Sequence, residues 1–308
     1  MVLTCPRCAV TGEATDRYCE ACGGRLGDAG FPWLTSAAPD GRCGVCGAAA
    51  VRPGEYCDEC GRRRGAGRDR AELELPGLAA VTDRGHRKHH NEDAVAIGVA
   101  ADGTAAIVCD GVSSTPRADA AAHTAADVGI RDLLQALAEG APDRDAAAVA
   151  FRSAFAAVGR LARPDPRNAP SCTYVSGTVT GRGITVGWVG DSRAYWVPDA
   201  GTARCLTVDD ALPGVAGAPL LRWVGGDAGG VEIQVVAVEP AEAGHLVLCS
   251  DGLSRYLPEP AALDAVAAAS PLDAAQRLTR FALDAGGADN IAVVVLSSPP
   301  PHPRGASL

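Results

Sequence analysis

The sequence predicts an α+β fold with a small cysteine-rich region ahead of it, on three observations. Apolar, strand-like runs begin or end at acidic residues, alanine-rich helical segments alternate with those runs, and a block of paired cysteines is repeated near the amino end. With 308 residues and a hydrophobic share of 47%, the chain can bury one sizeable core and still carry an appendage.

The cysteines come first. Cys5-x2-Cys8-x10-Cys19-x2-Cys22 recurs as Cys43-x2-Cys46-x10-Cys57-x2-Cys60, an offset of 38 residues. Tyr18 and Tyr56 before the third cysteine repeat as well, as do Gly23 and Gly61 after the fourth. Two CxxC knuckles per unit supply four thiolates, the ligand set of a closed tetrahedral zinc site with no position left for chemistry. Residues 1–64 therefore read as a double zinc ribbon, with units at 1–27 and 40–64 and one structural Zn(II) in each. Disulfides or a redox CxxC are the alternatives; the duplicated spacing favours metal, and a reducing compartment disfavours disulfides. Units this small bury little, so zinc would supply much of their folding energy. Arginines and acids nearly cancel over residues 1–70, and each tetrathiolate centre adds negative charge, which favours a protein partner over nucleic acid. The run Arg62-Arg63-Arg64 with Arg68 and Arg70 reads as linker or as a docking strip for an acidic partner.

Residues 65–76, rich in Gly, Arg and acids, read as a linker to a domain spanning 77–297. In that domain the runs Ala105 to Cys109 and His245 to Cys249 lead into Asp110-Gly111 and Asp251-Gly252. The runs Ala94 to Ala100 and Ile291 to Leu296 leave from Glu92-Asp93 and Asp289-Asn290. If neighbouring strands are antiparallel, all these acids share one rim. A single Asp-Gly pair is most simply a turn, but several at matching strand ends point to a shared site. Clustered carboxylates repel and raise one another's pKa unless a cation neutralises them, and an oxygen-only set suits Mg(II) or Mn(II) better than zinc or copper. Gly111 and Gly252 would let the backbone turn sharply after each ligand.

Ala118 to Ala138 and Asp145 to Ala162 are helical in propensity and separated by a short Gly-Ala-Pro turn. Ser270-Pro271 reads as cap and first residue of another helix, closed by Gly286-Gly287. The tail, 298–308, is proline-rich and expected to be disordered.

Taken in order, TDRGHRKHHNEDA (Thr82 to Ala94), VCDGVSS (Val108 to Ser114), VGDSRAY (Val189 to Tyr195), LCSDGLS (Leu248 to Ser254) and ADNIAVVVL (Ala288 to Leu296) resemble the metal-dependent Ser/Thr protein phosphatases of type 2C. The resemblance implies two antiparallel sheets packed as a sandwich and flanked by helices. It implies two Mn(II) or Mg(II) ions that activate a water for in-line attack on phosphoserine or phosphothreonine, without a phosphoenzyme. Asp110 would bridge the ions, Asp251 and Asp289 would complete the shell of one, and the Gly111 carbonyl, Glu92 and Asp93 would serve the other. Asp191 would hold a weaker third ion with Asp251, as in bacterial members; equally, it reads as a turn aspartate pairing with Arg193.

The family usually places an arginine four residues before the motif glutamate. Lys88, the chain's only lysine, stands there and offers a point charge in place of a bidentate fork. Arg87 beside it is placed to supply the fork, and both also read as solvated loop charges. His86, His89 and His90 crowd the same segment and are candidates to protonate the leaving oxygen, against the plainer reading of surface histidines. Val112 stands where eukaryotic members carry a histidine, Ser113 and Ser114 replace glycines, and SCTY (Ser171 to Tyr174) replaces the usual GTT. Cys109 and Cys249 sit inside apolar runs and read as core.

A net charge of -9 disfavours DNA and anionic membranes as partners. No signal peptide and no apolar segment near ~20 residues is evident, so a cytoplasmic location is expected. The abundance of Ala, Gly and Arg suggests a GC-rich bacterial source. The expected activity is a protein serine/threonine phosphatase acting on phosphoproteins, Ser/Thr kinases or their substrates among them, as a monomer, with the ribbons recruiting a protein partner or the substrate. Two readings oppose it: a weak or inactive phosphatase-fold adaptor working through its ribbons, and a two-metal nuclease, which the acidic balance disfavours.

Overall fold

A computed structural model describes residues 2–4, 11–13, 31–36, 69–162, 169–212, 219–267 and 269–299. The eight paired cysteines and the tail beyond residue 299 lie outside the described residues, and the expected zinc sites and disordered tail with them. In chain order the first strands are β1 (Val2–Thr4), β2 (Thr11–Glu13), β3 (Trp33–Thr35), β4 (Arg70–Leu75), β5 (Leu78–Asp83), β6 (Ala94–Ala100) and β7 (Gly103–Cys109). Helices α1 (Ala118–Ala138) and α2 (Asp143–Leu161) follow, then β8 (Ser171–Cys172), β9 (Tyr174–Thr180), β10 (Gly183–Val189), β11 (Arg193–Pro198), β12 (Arg204–Cys205), β13 (Val224–Gly225), β14 (Gln234–Val238) and β15 (Gly244–Cys249). The chain ends in α3 (Asp251–Ser254), a 3-10 turn (Pro260–Val266), α4 (Pro271–Asp284) and β16 (Ile291–Ser298).

Two six-stranded sheets carry the fold, in the orders β14-β10-β9-β7-β6-β3 and β12-β11-β15-β16-β5-β4, and every pairing within them is antiparallel. They pack face to face, with α1 and α2 outside the first sheet and α4 outside the second. The expected α+β sandwich is thus observed. Because both faces of the central strands are covered, these strands are continuous apolar runs whose successive residues serve different layers. On β15, Leu246 and Leu248 point between the sheets, while Val247 and Cys249 point toward α4. On β6, Val95 and Ile97 face the other sheet, and Ala94 and Ala96 face α1. Small alanines on β6 and along α1 bring helix and sheet close together, and the larger side chains fill the space between the sheets.

The predicted helices form nearly where expected. Ser270 caps α4, its hydroxyl accepting from the Asp273 amide at 3.3 Å, and Pro271 opens the first turn. Gly286 and Gly287 follow with φ of 132° and 50°, which end the helix.

The edges depart from expectation. Residues 70–75, read as linker, form β4 on the outside of β5: Ala71, Leu73 and Leu75 turn inward while Arg70, Glu72 and Glu74 face solvent. On the other sheet β3, from between the two cysteine units, pairs with β6 in the register Trp33↔Gly98 and Thr35↔Ala96. The Val99 amide donates to the Pro32 carbonyl at 3.0 Å, the Ser36 amide to the Val95 carbonyl at 2.9 Å, and the Val95 amide to Ser36 Oγ at 3.0 Å. Trp33 is buried in the layer beneath α1.

Candidate active site at the rim shared by the two sheets

Strand direction collects the predicted residues. β7 ends where β6 begins, in the register Ala94↔Cys109, so Asp93 and Asp110 are neighbours across one sheet edge. In the facing sheet β15 ends beside the start of β16, with Cys249 opposite Val293, which brings Asp251 to Asp289 and Asn290. The 84–93 loop runs from β5 in the second sheet to β6 in the first and carries Lys88 and Glu92 across this rim. The turn from β10 to β11 also passes between sheets here and places Asp191 where Asp251 and Asp110 feel its charge.

Neutral hydrogen bonds fix the deeper half. Ser250 Oγ donates to Asp93 Oδ2 at 2.7 Å and accepts from the Ala292 amide at 2.9 Å. The Asp110 amide donates to Thr173 Oγ1 at 3.0 Å, the Thr173 amide returns a bond to the Asp110 carbonyl at 2.8 Å, and the Thr173 and Ser192 hydroxyls meet at 2.7 Å. Asn290 pins the loop: its Nδ2 donates to the carbonyls of Arg84 and His90, both at 2.8 Å, and its Oδ1 accepts from the Glu92 amide at 2.8 Å. Gly111 and Gly252 do not adopt the left-handed backbone expected of sharp turns. They are glycines because of close approach: a Cβ on Gly252 would collide with the Asn290 carbonyl, and one on Gly111 would lie 2.7 Å from the Glu92 carbonyl.

The outer half is held by charge. Lys88 Nζ lies 2.6 Å from Asp289 Oδ1 and donates to Ser113 Oγ at 2.8 Å, and Ser113 donates in turn to Glu92 Oε2 at 2.6 Å. Ser113, which stands where the resembled pattern has glycine, thereby couples the lysine to the glutamate. Arg255 Nη2 pairs with Asp251 Oδ2 and, at 3.0 Å, with Asp289 Oδ2.

Burial first, then the surrounding carboxylates, raise the acids. Asp93 is pushed up to about 8 by burial, against the Ser250 bond that lowers it, with Asp251 and Asp289 adding to the rise. Asp110 keeps a little accessible surface but is enclosed by protein, and burial with Asp93, Asp251 and Asp191 lifts it well above the carboxylate range. Burial raises Asp191 to about 6, and burial raises Asp251 despite Arg255. Burial lowers the Lys88 ammonium, but its bond to Asp289 together with the charges of Asp289, Asp110 and Glu92 outweighs that and leaves it raised.

Such a set accepts a hard divalent cation. All donors are oxygens, and Asp93 Oδ1 is buried with no hydrogen-bond partner, a cost that a metal or a proton would remove. Among the described residues no three of these carboxylates are closed into a ready chelate, because Lys88 and Arg255 hold Asp289 and Asp251.

Glu92, Asp93, Asp110, Gly111, Asp191, Asp251, Asp289 and Lys88 thus come together. Arg87 does not join them: it is exposed, with no side-chain partner among the described residues. His86, His89 and His90 are exposed, and the bond the rim takes from this trio is accepted by the His90 carbonyl. Asp191 does not take Arg193 as its ion-pair partner; that guanidinium grips Asp209 at 2.8 and 2.7 Å. Cys109, Cys172 and Cys249 are buried free thiols. Sequence reasoning missed Arg255, Ser250, Thr173 and the side-chain role of Asn290. Only Arg255 left a signal, four residues after Asp251, the spacing that places two side chains on one face of a helical turn.

The fold is an antiparallel two-sheet sandwich that bears an oxygen-donor acid cluster at one rim. Residues 82–281 match the family model described as Protein phosphatase 2C. The chain is 32% identical over 235 residues to the serine/threonine protein phosphatase PstP of Mycobacterium tuberculosis, an alignment that takes in 70% of this chain and 44% of PstP. The chain therefore spans under half the length of that relative. Among solved structures, the catalytic domain of PstP in complex with two manganese ions superposes with a TM-score of 0.57 at 27% identity, covering 72% of this chain and 97% of that one. The Ser-Thr phosphatase MsPP of Mycobacterium smegmatis, in complex with cacodylate, gives a TM-score of 0.56 at 28% identity, with coverage of 73% and 98%. The chain belongs to the protein phosphatase 2C family, the metal-dependent Ser/Thr phosphatases.

Proposed function

We propose that this chain hydrolyses phosphoserine and phosphothreonine in proteins at a binuclear Mn(II) or Mg(II) centre. The observation that carries the reading is the convergence of Asp93, Asp110, Asp251 and Asp289 from two facing sheets onto one rim, with one buried carboxylate oxygen unpaired. In this reading Asp110 would be shared by the two ions, Asp251 and Asp289 would help to hold one of them, and Glu92, Asp93 and the Gly111 carbonyl the other. Asp191, raised by burial and by Asp251, is the candidate for a third. When bound, the ions supply a nucleophilic water at neutral pH and charge stabilisation at phosphorus. Ser250 and Thr173 hold the ligands in place, Asn290 fixes the loop that brings Glu92 and Lys88, and Lys88 offers its ammonium to the phosphoryl oxygens.

The amino-terminal cysteines are proposed to form two structural zinc ribbons that recruit a protein partner or position the substrate. Their duplicated spacing supports this, as does the β1–β2 hairpin that brackets Cys5 and Cys8 in sequence. Among the described residues no helix is long and apolar enough to cross a membrane. A cytoplasmic monomer acting on phosphoproteins, kinases among them, is the proposed setting.

The test is Mn(II)- and Mg(II)-dependent hydrolysis of an aryl phosphate and a phosphothreonine peptide, run beside Asp251→Asn. Turnover that needs the metal and disappears in the variant is expected. A folded, metal-loaded protein without turnover would mean an adaptor.

A further inference from the structure

On the phosphatase reading of this rim, we infer that Arg255 is a substrate-binding residue, its guanidinium joining the Lys88 ammonium to grip the phosphoryl group. Arg255 follows α3 and folds back over it. Its Nε donates to the Asp251 carbonyl at 3.2 Å, and its Nη2 reaches carboxylate oxygens of both Asp251 and Asp289. Nη1 has no partner among the described residues. Lys88 holds the other oxygen of Asp289 at 2.6 Å, so two cations flank one carboxylate from its two sides. Both remain partly open to solvent, 28% for the Lys88 side chain and 29% for Arg255, so a solute can reach them.

Charge decides what these cations can do. The carboxylates of Glu92, Asp93, Asp110, Asp191, Asp251 and Asp289 outweigh two divalent ions by two negative charges, which would repel a phosphate monoester. Lys88 and Arg255 cancel that excess. Once Asp251 and Asp289 turn their oxygens toward metal, the two cations lose their partners, and a phosphoryl dianion can replace them. Arg255 offers a planar fork, which matches two phosphoryl oxygens at once and which Lys88 lacks. Arg87, the other candidate for that fork, has no contact with the rim.

The experiment uses the full chain as wild type, Arg255→Ala and Arg255→Lys, and has three readouts. These are kcat and KM on an aryl phosphate and a phosphothreonine peptide, the concentration of inorganic phosphate that half-maximally raises the melting temperature at saturating Mg(II), and the Mn(II) concentration at half-maximal activity. For Arg255→Ala, KM and the phosphate midpoint should both rise by about tenfold or more, the scale of a lost charge-assisted bond. Arg255→Lys should recover part of each loss, and the metal midpoint should stay level or fall. If the phosphate midpoint and KM remain within about twofold of wild type while the metal midpoint falls, Arg255 is only a counter-ion of the acids and the inference is overturned. The two readings fail separately. A wild type without turnover sinks the phosphatase, whereas a competent wild type indistinguishable from both variants sinks Arg255 alone. Melting curves without added metal show that each variant is folded, and Arg255→Lys carries the test if the alanine form is not.

Discussion

The two halves of the acid cluster are built differently. Asp93 and Asp110, at the meeting of β6 and β7, lie deep: the Asp93 carboxylate accepts from the Ser250 hydroxyl, and the Asp110 backbone is fixed by Thr173. Asp251 and Asp289, beside β15 and β16, lie nearer solvent and are held by Lys88 and Arg255. A neutral hydroxyl orients the Asp93 carboxylate without cancelling it, and its other oxygen is unpaired, so Asp93 keeps its demand for a proton or a metal. Flexible cations cancel the outer pair in a way that can be exchanged. On the proposed function, the inner half would bind metal and the outer half would trade partners as ligands arrive.

The largest test removes a carboxylate outright. Asp110→Asn or Asp251→Asn should lower activity by at least ~100-fold, since a ligand of the proposed metal centre is lost. Without added Mn(II) or Mg(II), melting of Asp110→Asn should move upward because the repulsion in the deep half is relieved; a downward shift would contradict the description of that half.

Ser250→Ala would leave Asp93 with neither oxygen paired and free the Ala292 amide as well. A loss of about 1–3 kcal/mol in stability is expected from denaturant unfolding without added metal. Metal affinity should weaken by about 10–100-fold, as measured by Mn(II) titration. A similar metal loss on mutating Ser113, which serves the outer half, would erase the distinction.

Proton linkage gives a third test. Asp93 has a folded value of about 8, far above an ordinary aspartate, so the folded state binds its proton more tightly than the unfolded state does. Its contribution to stability is present in full below the ordinary aspartate range and is lost as pH rises through about 8. Melting temperature without added metal should therefore fall across that window, and saturating Mg(II) should flatten the slope. An identical slope with and without metal would break the link between the buried acids and the ions.

Smaller still, Ser113→Gly should raise KM by about two- to fivefold through loss of the Lys88 to Glu92 connection, and Arg87→Ala should change neither kcat nor KM in steady-state assays.

What was legible in the sequence was local. Asp110 and Asp251 announced themselves by following apolar runs, Asp93 and Asn290 by preceding them, and the helices by alanine content and a Ser-Pro start. The parts that escaped are those that neighbours in sequence do not determine. Ser250 reaches Asp93 across a separation of 157 residues, and the bond from Asn290 to the His90 carbonyl spans 200. No window on the chain contains both members of either pair. β4 was lost for another reason. RAELEL alternates as an edge strand should, but its outward charges give it the composition of a linker, and only pairing with β5 reveals which face is buried.

β3 changes where the sandwich begins. The sheet that bears Asp93 takes its outermost strand from Trp33–Thr35, and the chain then passes through the second cysteine unit before returning as β4 on the edge of the opposite sheet. In sequence that unit therefore lies between two strands of the sandwich, β3 and β4. A cut made just before Arg70 would remove more than the paired cysteines: it would strip an edge from β6, the strand that follows Asp93, and take away the indole buried beneath α1.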